Sequence, residues 1–189
     1  SSRFDPDREK FIAFQESLRP LFPHVFASCE VHHPGDGLVL YLKSECPKGE
    51  PILLMSHHDV VEASGSWTHE PFSGTIADGK VWGRGTQDTK GSLCGELIAL
   101  EQLLERGFAP ACNVWIGSSC NEETGGNGIP AARDWFAEQG ITFDVILDEG
   151  GAVVNPPISP KMAAYHHFFI HRFSLPHSSL HIITANAMT

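Results

Sequence analysis

Nowhere does this 189-residue chain string together the roughly 20 apolar residues that a bilayer-spanning helix needs. Cysteine is sparse and badly spaced for structure. The five (Cys29, Cys46, Cys94, Cys112, Cys120) form an odd count with no C-x-x-C pair, which excludes a disulfide framework and a cysteine-rich zinc knuckle. Free, mostly buried thiols are expected. Positive charge is also short: 13 Lys and Arg face 23 Asp and Glu, a net charge of -10, which argues against nucleic-acid or anionic-membrane partners. The phosphate-loop pattern G-x-x-x-x-G-K-[ST] is missing. So are a starting Met and an apolar signal core, which makes a cytoplasmic location the expectation. A trimmed leader would instead fit a secreted or vacuolar one.

What is present is an alternation of apolar segments with two periods. Residues 5–18 carry Phe11, Phe14 and Leu18 at helical spacing behind acidic residues. Leu38–Leu42 reads as a strand after the turn Gly35-Asp36-Gly37. Residues 52–55 form a continuous apolar run, as in a strand buried on both faces. A hairpin is expected over 75–82, with Asp78-Gly79 near its turn. Leu93, Leu97, Leu100 and Leu104 line a helix over 92–106, with Gly107 placed to cap it. A strand over 113–117, a helix over 130–139 that ends at Gly140 and a strand over 144–147 complete the series. Strand and helix in alternation predict an α/β domain with a largely parallel sheet.

Polar clusters sit at the ends of these strands: His57-x-Asp59, Glu122-Glu123 and Asp148-Glu149, with Asp88 in a glycine-rich loop before a helix. Open α/β sheets bind ligands at the carboxyl ends of their strands, so all four clusters point to one edge. Residues two apart on a strand share a face, which lets Asp59 steady a metal-bound His57 ring. Each cluster alone has an ordinary reading. His57-x-Asp59 suits any polar strand end, Asp88 suits a helix N-cap, Glu122-Glu123 suits a solvated loop, and Asp148 suits a turn. Together, one imidazole and several carboxylates make a nitrogen and oxygen donor set that suits zinc, or manganese or cobalt in its place. Asp88, Glu123 and Asp148 would offset most of the charge of two divalent ions.

The runs LLMSHHDVV (53–61), WTHEPFSGTIADGKVWGRGTQDTKG (67–91), NEETGG (121–126) and LDEGG (147–151) resemble the aminoacylase and carboxypeptidase family of co-catalytic zinc peptidases. The likeness is to its carboxypeptidase S-like branch and covers about Phe11 to Val154. It implies a three-layer α/β/α metallopeptidase catalytic domain, here over residues 1–160, with two zinc ions and a peptide or N-acyl amino acid substrate. It also implies His57 and Asp148 on the first zinc, Asp59 orienting His57, Asp88 bridging both ions and followed by a cis peptide, Glu123 on the second zinc and Glu122 as general base.

Two departures stand out. Glu62 follows His57-x-Asp59-Val60-Val61 where the branch usually has Pro. The family's lid domain, through which its members often dimerise, and the returning segment with the second zinc's histidine are not found in this chain. Residues 161–189 instead form an atypical tail. From Ala163 to Thr189 it has no Asp, Glu or Lys but five histidines, His166, His167, His171, His177 and His181. A truncated or frame-shifted terminus is the expectation. The alternative to an amidohydrolase is accordingly a catalytically inactive, metal-binding fragment of one, and a pure interaction module is a third reading.

Overall fold

The computed structural model describes residues 8–148 and the strands at 169–175 and 178–184, the last two as backbone. Glu149, Gly150, Gly151, His166, His167 and His177 lie outside the described residues, as do the side chains of His171 and His181.

The centre of the fold follows from the apolar run at Ile52–His57 (β3). It pairs in parallel with Val114–Ser119 (β6) on one side and Val145–Asp148 (β7) on the other. Alternate residues therefore feed two cores: Leu54 packs with one cluster, Leu53 and Met55 with the other. The first core gathers Leu18 of α1 (Arg8–Leu18), Val25 of α2 (Pro23–Ser28) and Leu93, Leu97 and Leu100 of α3 (Lys90–Glu105). Leu93 and Leu97 have no exposure at all, worth about 1.5–3 kcal/mol each in apolar burial. The second core packs Phe136 of α4 (Gly128–Glu138) on Val39, Leu53 and Trp115. Helices on both faces of one sheet make the expected three layers.

The sheet also contains β1 (Glu30–His32), β2 (Leu38–Leu42), β8 (Phe169–Leu175) and β9 (Ser178–Thr184), in the order β1-β2-β6-β3-β7-β9-β8. Its middle, β6-β3-β7-β9, is parallel, and both margins are antiparallel. The hairpin of β4 (Thr75–Ala77) and β5 (Lys80–Trp82) is a separate two-stranded ribbon, with Asp78 and Gly79 both at positive φ in its turn.

Local chemistry sets the boundaries. Gly107 (φ 77) ends α3, its N–H bonded to the Leu104 carbonyl and that of Phe108 to the Leu103 carbonyl, which is the Schellman arrangement. Gly140 ends α4 the same way. Helix α3 begins two residues earlier than the leucine period suggests. Gly91 is accommodated because a Cβ there would collide with the Thr86 carbonyl. Helix α2 is an element the periodicity did not announce. It is held from outside, since the Glu101 carboxylate of α3 accepts the N–H groups of His24 and Val25 at its first turn.

The cysteine expectation needs one correction. All five are thiols, but only Cys120 is buried, while Cys46 is exposed and the other three are intermediate. They sit at element ends and on partly covered helix faces. Among the described residues no helix is long and apolar enough to cross a membrane.

Candidate metal centre

The carboxyl end of β3 carries two histidines on opposite faces. His58 points into the first core, between the rings of Phe11 and Phe14, with Gln15 Nε2 at 3.3 Å and Ser118 Oγ at 2.9 Å. Burial, helped by the Lys90 charge, pushes its imidazole down to about 4. The unfolded chain therefore binds a proton at this position more readily than the folded one. Stability from this group is complete above about pH 6.5 and is lost as pH falls toward 4, by about 3 kcal/mol in all. Urea denaturation of His58→Gln between pH 7 and 4 is expected to show that stretch of pH dependence flattened. An unchanged slope would place the titration elsewhere.

His57 turns the other way and is almost wholly buried, at 1% exposure. Its Nδ1 lies 3.3 Å from the Asp59 carbonyl oxygen and 3.4 Å from Asp59 Oδ1. Asp59 does more than steady that ring. Its Oδ1 accepts the backbone N–H of Glu122 at 3.1 Å, and its Oδ2 accepts that of Glu123 at 3.0 Å. Burial alone would raise the Asp59 carboxyl, but its hydrogen bonds to His57 and to the Glu123 and Glu122 amides hold it below its ordinary value. One buried carboxylate thus fixes the position of both the histidine and the two glutamates.

His57 Nε2 faces Asp88 Oδ1 at 3.1 Å and Glu122 Oε2 at 3.7 Å. In the tautomer whose Nδ1 donates to Asp59, Nε2 presents a lone pair toward the Asp88 carboxylate. His57 Nε2 and Asp88 Oδ1 are close enough to share either a proton or a metal ion. His57, Asp88 and Glu123 each offer an atom to a group in which all three lie within 4.8 Å of one another. The N-cap reading of Asp88 is set aside by the same geometry. The α3 N-cap is Thr89, no side-chain bond caps the helix, and the Asp88 carboxylate is directed at His57. The Asp88–Thr89 peptide bond is cis.

Asp148 occupies the carboxyl end of β7, one step beyond the Leu54–Leu147 pair of the neighbouring β3. It stands on the same sheet edge but outside the three-residue group, and its charge acts on Glu96. Glu62 is exposed, and its carbonyl accepts a hydrogen bond from Arg84 Nη2 at 3.4 Å.

Two neighbours of the centre escaped sequence reasoning. Lys90 is half-buried at the start of α3, in the field of Asp59 and Glu123, with its ammonium 5.7 Å from the Phe14 ring centre. Glu96 lies on the inward side of α3 and accepts from Ser56 Oγ at 3.4 Å. The signal for Glu96 was an acid set between Leu93 and Leu97 on the apolar stripe. Burial raises its carboxyl to about 8, with the Asp148 charge adding to the effect and the Ser56 bond opposing it. Ionising Glu96 therefore costs folded-state stability, fully present below pH 4.5 and lost as pH rises through 8. Glu96→Gln is expected to stabilise the metal-free chain at pH 9 by on the order of 4 kcal/mol and to change little at pH 4. Equal stability of the two proteins at pH 9 would refute the assignment.

The family description of peptidase family M20/M25/M40 matches residues 53–171, more than half of the chain. The chain belongs to that family. It is 38% identical over 168 residues to a probable carboxypeptidase S-like protein 2 of Dictyostelium discoideum, covering 86% of this chain and 32% of that protein. It is 37% identical over 161 residues to an N-fatty-acyl-amino acid synthase/hydrolase of Danio rerio, covering 80% and 31%. Among solved structures, an M20 family metallo-carboxypeptidase from Sulfolobus solfataricus superposes with a TM-score of 0.59 at 21% identity, over 89% of this chain and 40% of that one. The three-layer fold of the M20 peptidases is thereby the fold of this chain, which spans about a third of the length of the curated relatives it matches. Enzymes named in this family are hydrolases, and the matched span, residues 53–171, contains the positions of the candidate centre.

Proposed function

We propose that this chain is the metal-holding part of a hydrolase that cleaves amide bonds of peptides or N-acyl amino acids. The observation that carries the reading is the convergence of His57, Asp88 and Glu123 within 4.8 Å, braced by Asp59. His57 Nε2 and carboxylate oxygens of Asp88 and Glu123 would hold a divalent ion, zinc by the donor set, with cobalt or manganese as substitutes. Asp88, and Asp148 one strand away on the same edge, would be further carboxylate donors if a pair of ions is held there. Divalent ions held there supply Lewis acidity for a water and for the scissile carbonyl.

The chain's own residues do the rest. Glu122 projects beside the ion group without joining it, which suits a base. It takes a proton from water as the oxygen adds to the amide carbon. It then gives that proton to the amine as the C–N bond breaks. Asp59 keeps Glu122 and Glu123 in register with His57 through both transfers, so that base and ligand move as one unit. The net charge of -10 favours no nucleic acid and no anionic membrane as partner.

The test pairs zinc content per chain with hydrolysis of an N-acyl amino acid. Tightly bound metal with metal-dependent turnover supports the proposal. Bound metal without turnover would leave a metal-binding fragment.

A further inference from the structure

We infer that the cleft at the amino edge of the sheet, opposite the metal centre, binds a guanidinium group against aromatic rings flanked by two carboxylates. The strand register builds the cleft. Glu30 of β1 lies opposite Tyr41 of β2, and Tyr41 lies opposite Trp115 of β6, so the three side chains share one face of the sheet. Helix α4 covers only the inner end of that row. Trp115 is 5% exposed, whereas Tyr41 is half-buried and the Glu30 side chain is 66% exposed. The uncovered outer end is a cleft of about 390 Å³.

Aromatic rings line it on two sides. Tyr41 stacks on Trp115 with ring centres 4.1 Å apart and planes 12° apart. Trp135 of α4 is inclined 70° to Trp115 and packs on His32, with ring centres 4.9 Å apart. Glu30 stands 3.7 Å from His32, and Glu50, two residues before β3, is exposed beside them. Among the described residues lining the cleft there is no Lys or Arg. Aromatic faces carry negative potential, so rings and carboxylates together favour a positive group.

Shape selects which cation. Glu30, His32 and Glu50 do not gather closely enough to ligate one ion, so a bare metal is a poor fit. An ammonium is a compact, strongly hydrated charge. A guanidinium is planar and weakly hydrated, stacks on aromatic rings and forks its N–H donors to carboxylates. It uses both features of the cleft. The length of β3 separates this edge from His57 by roughly 17 Å, so a group seated here does not touch the metal centre.

The test titrates butylguanidinium into the 189-residue chain at constant ionic strength, with and without zinc. NMR follows the indole N–H signals of the four tryptophans. Those of Trp115 and Trp135 are expected to shift together and saturate with a Kd on the order of 1 mM, while Trp67 and Trp82 stay still. Butylurea, planar but neutral, is expected to give no saturable shift, and butylammonium to bind at least about threefold more weakly. Glu30→Gln combined with Glu50→Gln is expected to weaken butylguanidinium by about tenfold. Both carboxylates are exposed, so the fold is spared, and unchanged ligand-free signals verify that. A Gly-Arg-Gly peptide separates the sources. Tighter binding than butylguanidinium assigns the site to a peptide arginine, and equal or weaker binding assigns it to a free guanidino compound. Butylurea binding as tightly, no saturable shift, or a shift that survives the double substitution overturns the inference. So does a response that zinc abolishes, since the cation would then sit among the carboxylates of the metal centre.

Discussion

Glu122→Gln is expected to lower turnover of an N-acyl amino acid by roughly 10²–10⁴-fold while leaving bound zinc unchanged. The substitution keeps the size of the side chain and removes its ability to accept and return a proton. Glu122 Oε2 is 3.7 Å from His57 Nε2, close enough to act on a water held at the ion group but not a member of that group. Its backbone is fixed through Asp59, so the amide variant keeps the main-chain geometry. Single-turnover kinetics and atomic absorption on the same sample separate the two effects. Loss of zinc in this variant would mean that Glu122 is the ligand and Glu123 the base.

Substituting His57 by Ala should have the opposite signature. Losing a partner of a metal-bound histidine typically costs about 10–100-fold in metal affinity. Losing the histidine itself removes the only nitrogen donor of the three-residue group, so zinc affinity is expected to fall by more than about 100-fold. Turnover would then fall with it and return in part at high zinc. The buried site left behind is compact, and Asp59 retains its bonds to the Glu122 and Glu123 amides, so the fold survives. Competition against a chromogenic chelator measures the affinity directly. Unchanged affinity would remove His57 from the centre.

Much of this was legible before any coordinates. The leucine period of α3 and the apolar run of β3 reflect direct burial, the property that sequence patterns report best. The expected edge location of His57 and Glu123 followed from where apolar strands stop, and that of Asp88 from a glycine-rich loop before a helix. Three features were not legible, each for a physical reason. Helix α2 depends on a carboxylate 76 residues away, Glu101, so no local pattern announces it. The tail strands β8 and β9 pair through backbone, and β9 continues the parallel centre against β7, a placement that histidine-rich composition does not reveal. Asp59 was read as a support for one ring. Its larger role, receiving the amides of Glu122 and Glu123 from another strand's loop, is a tertiary contact invisible to spacing. Glu96 was missed as well, although a single acid within the apolar stripe of α3 was the signal that could have found it.

The most direct test of the centre is an anomalous difference map at the zinc edge from crystals of the zinc-loaded chain. The account predicts a peak about 2.0–2.2 Å from His57 Nε2 and from carboxylate oxygens of Asp88. A second peak is expected on the Glu123 side of Asp88, about 3.5–4 Å from the first. Zinc bound elsewhere, with His57, Asp88 and Glu123 bare, would contradict it.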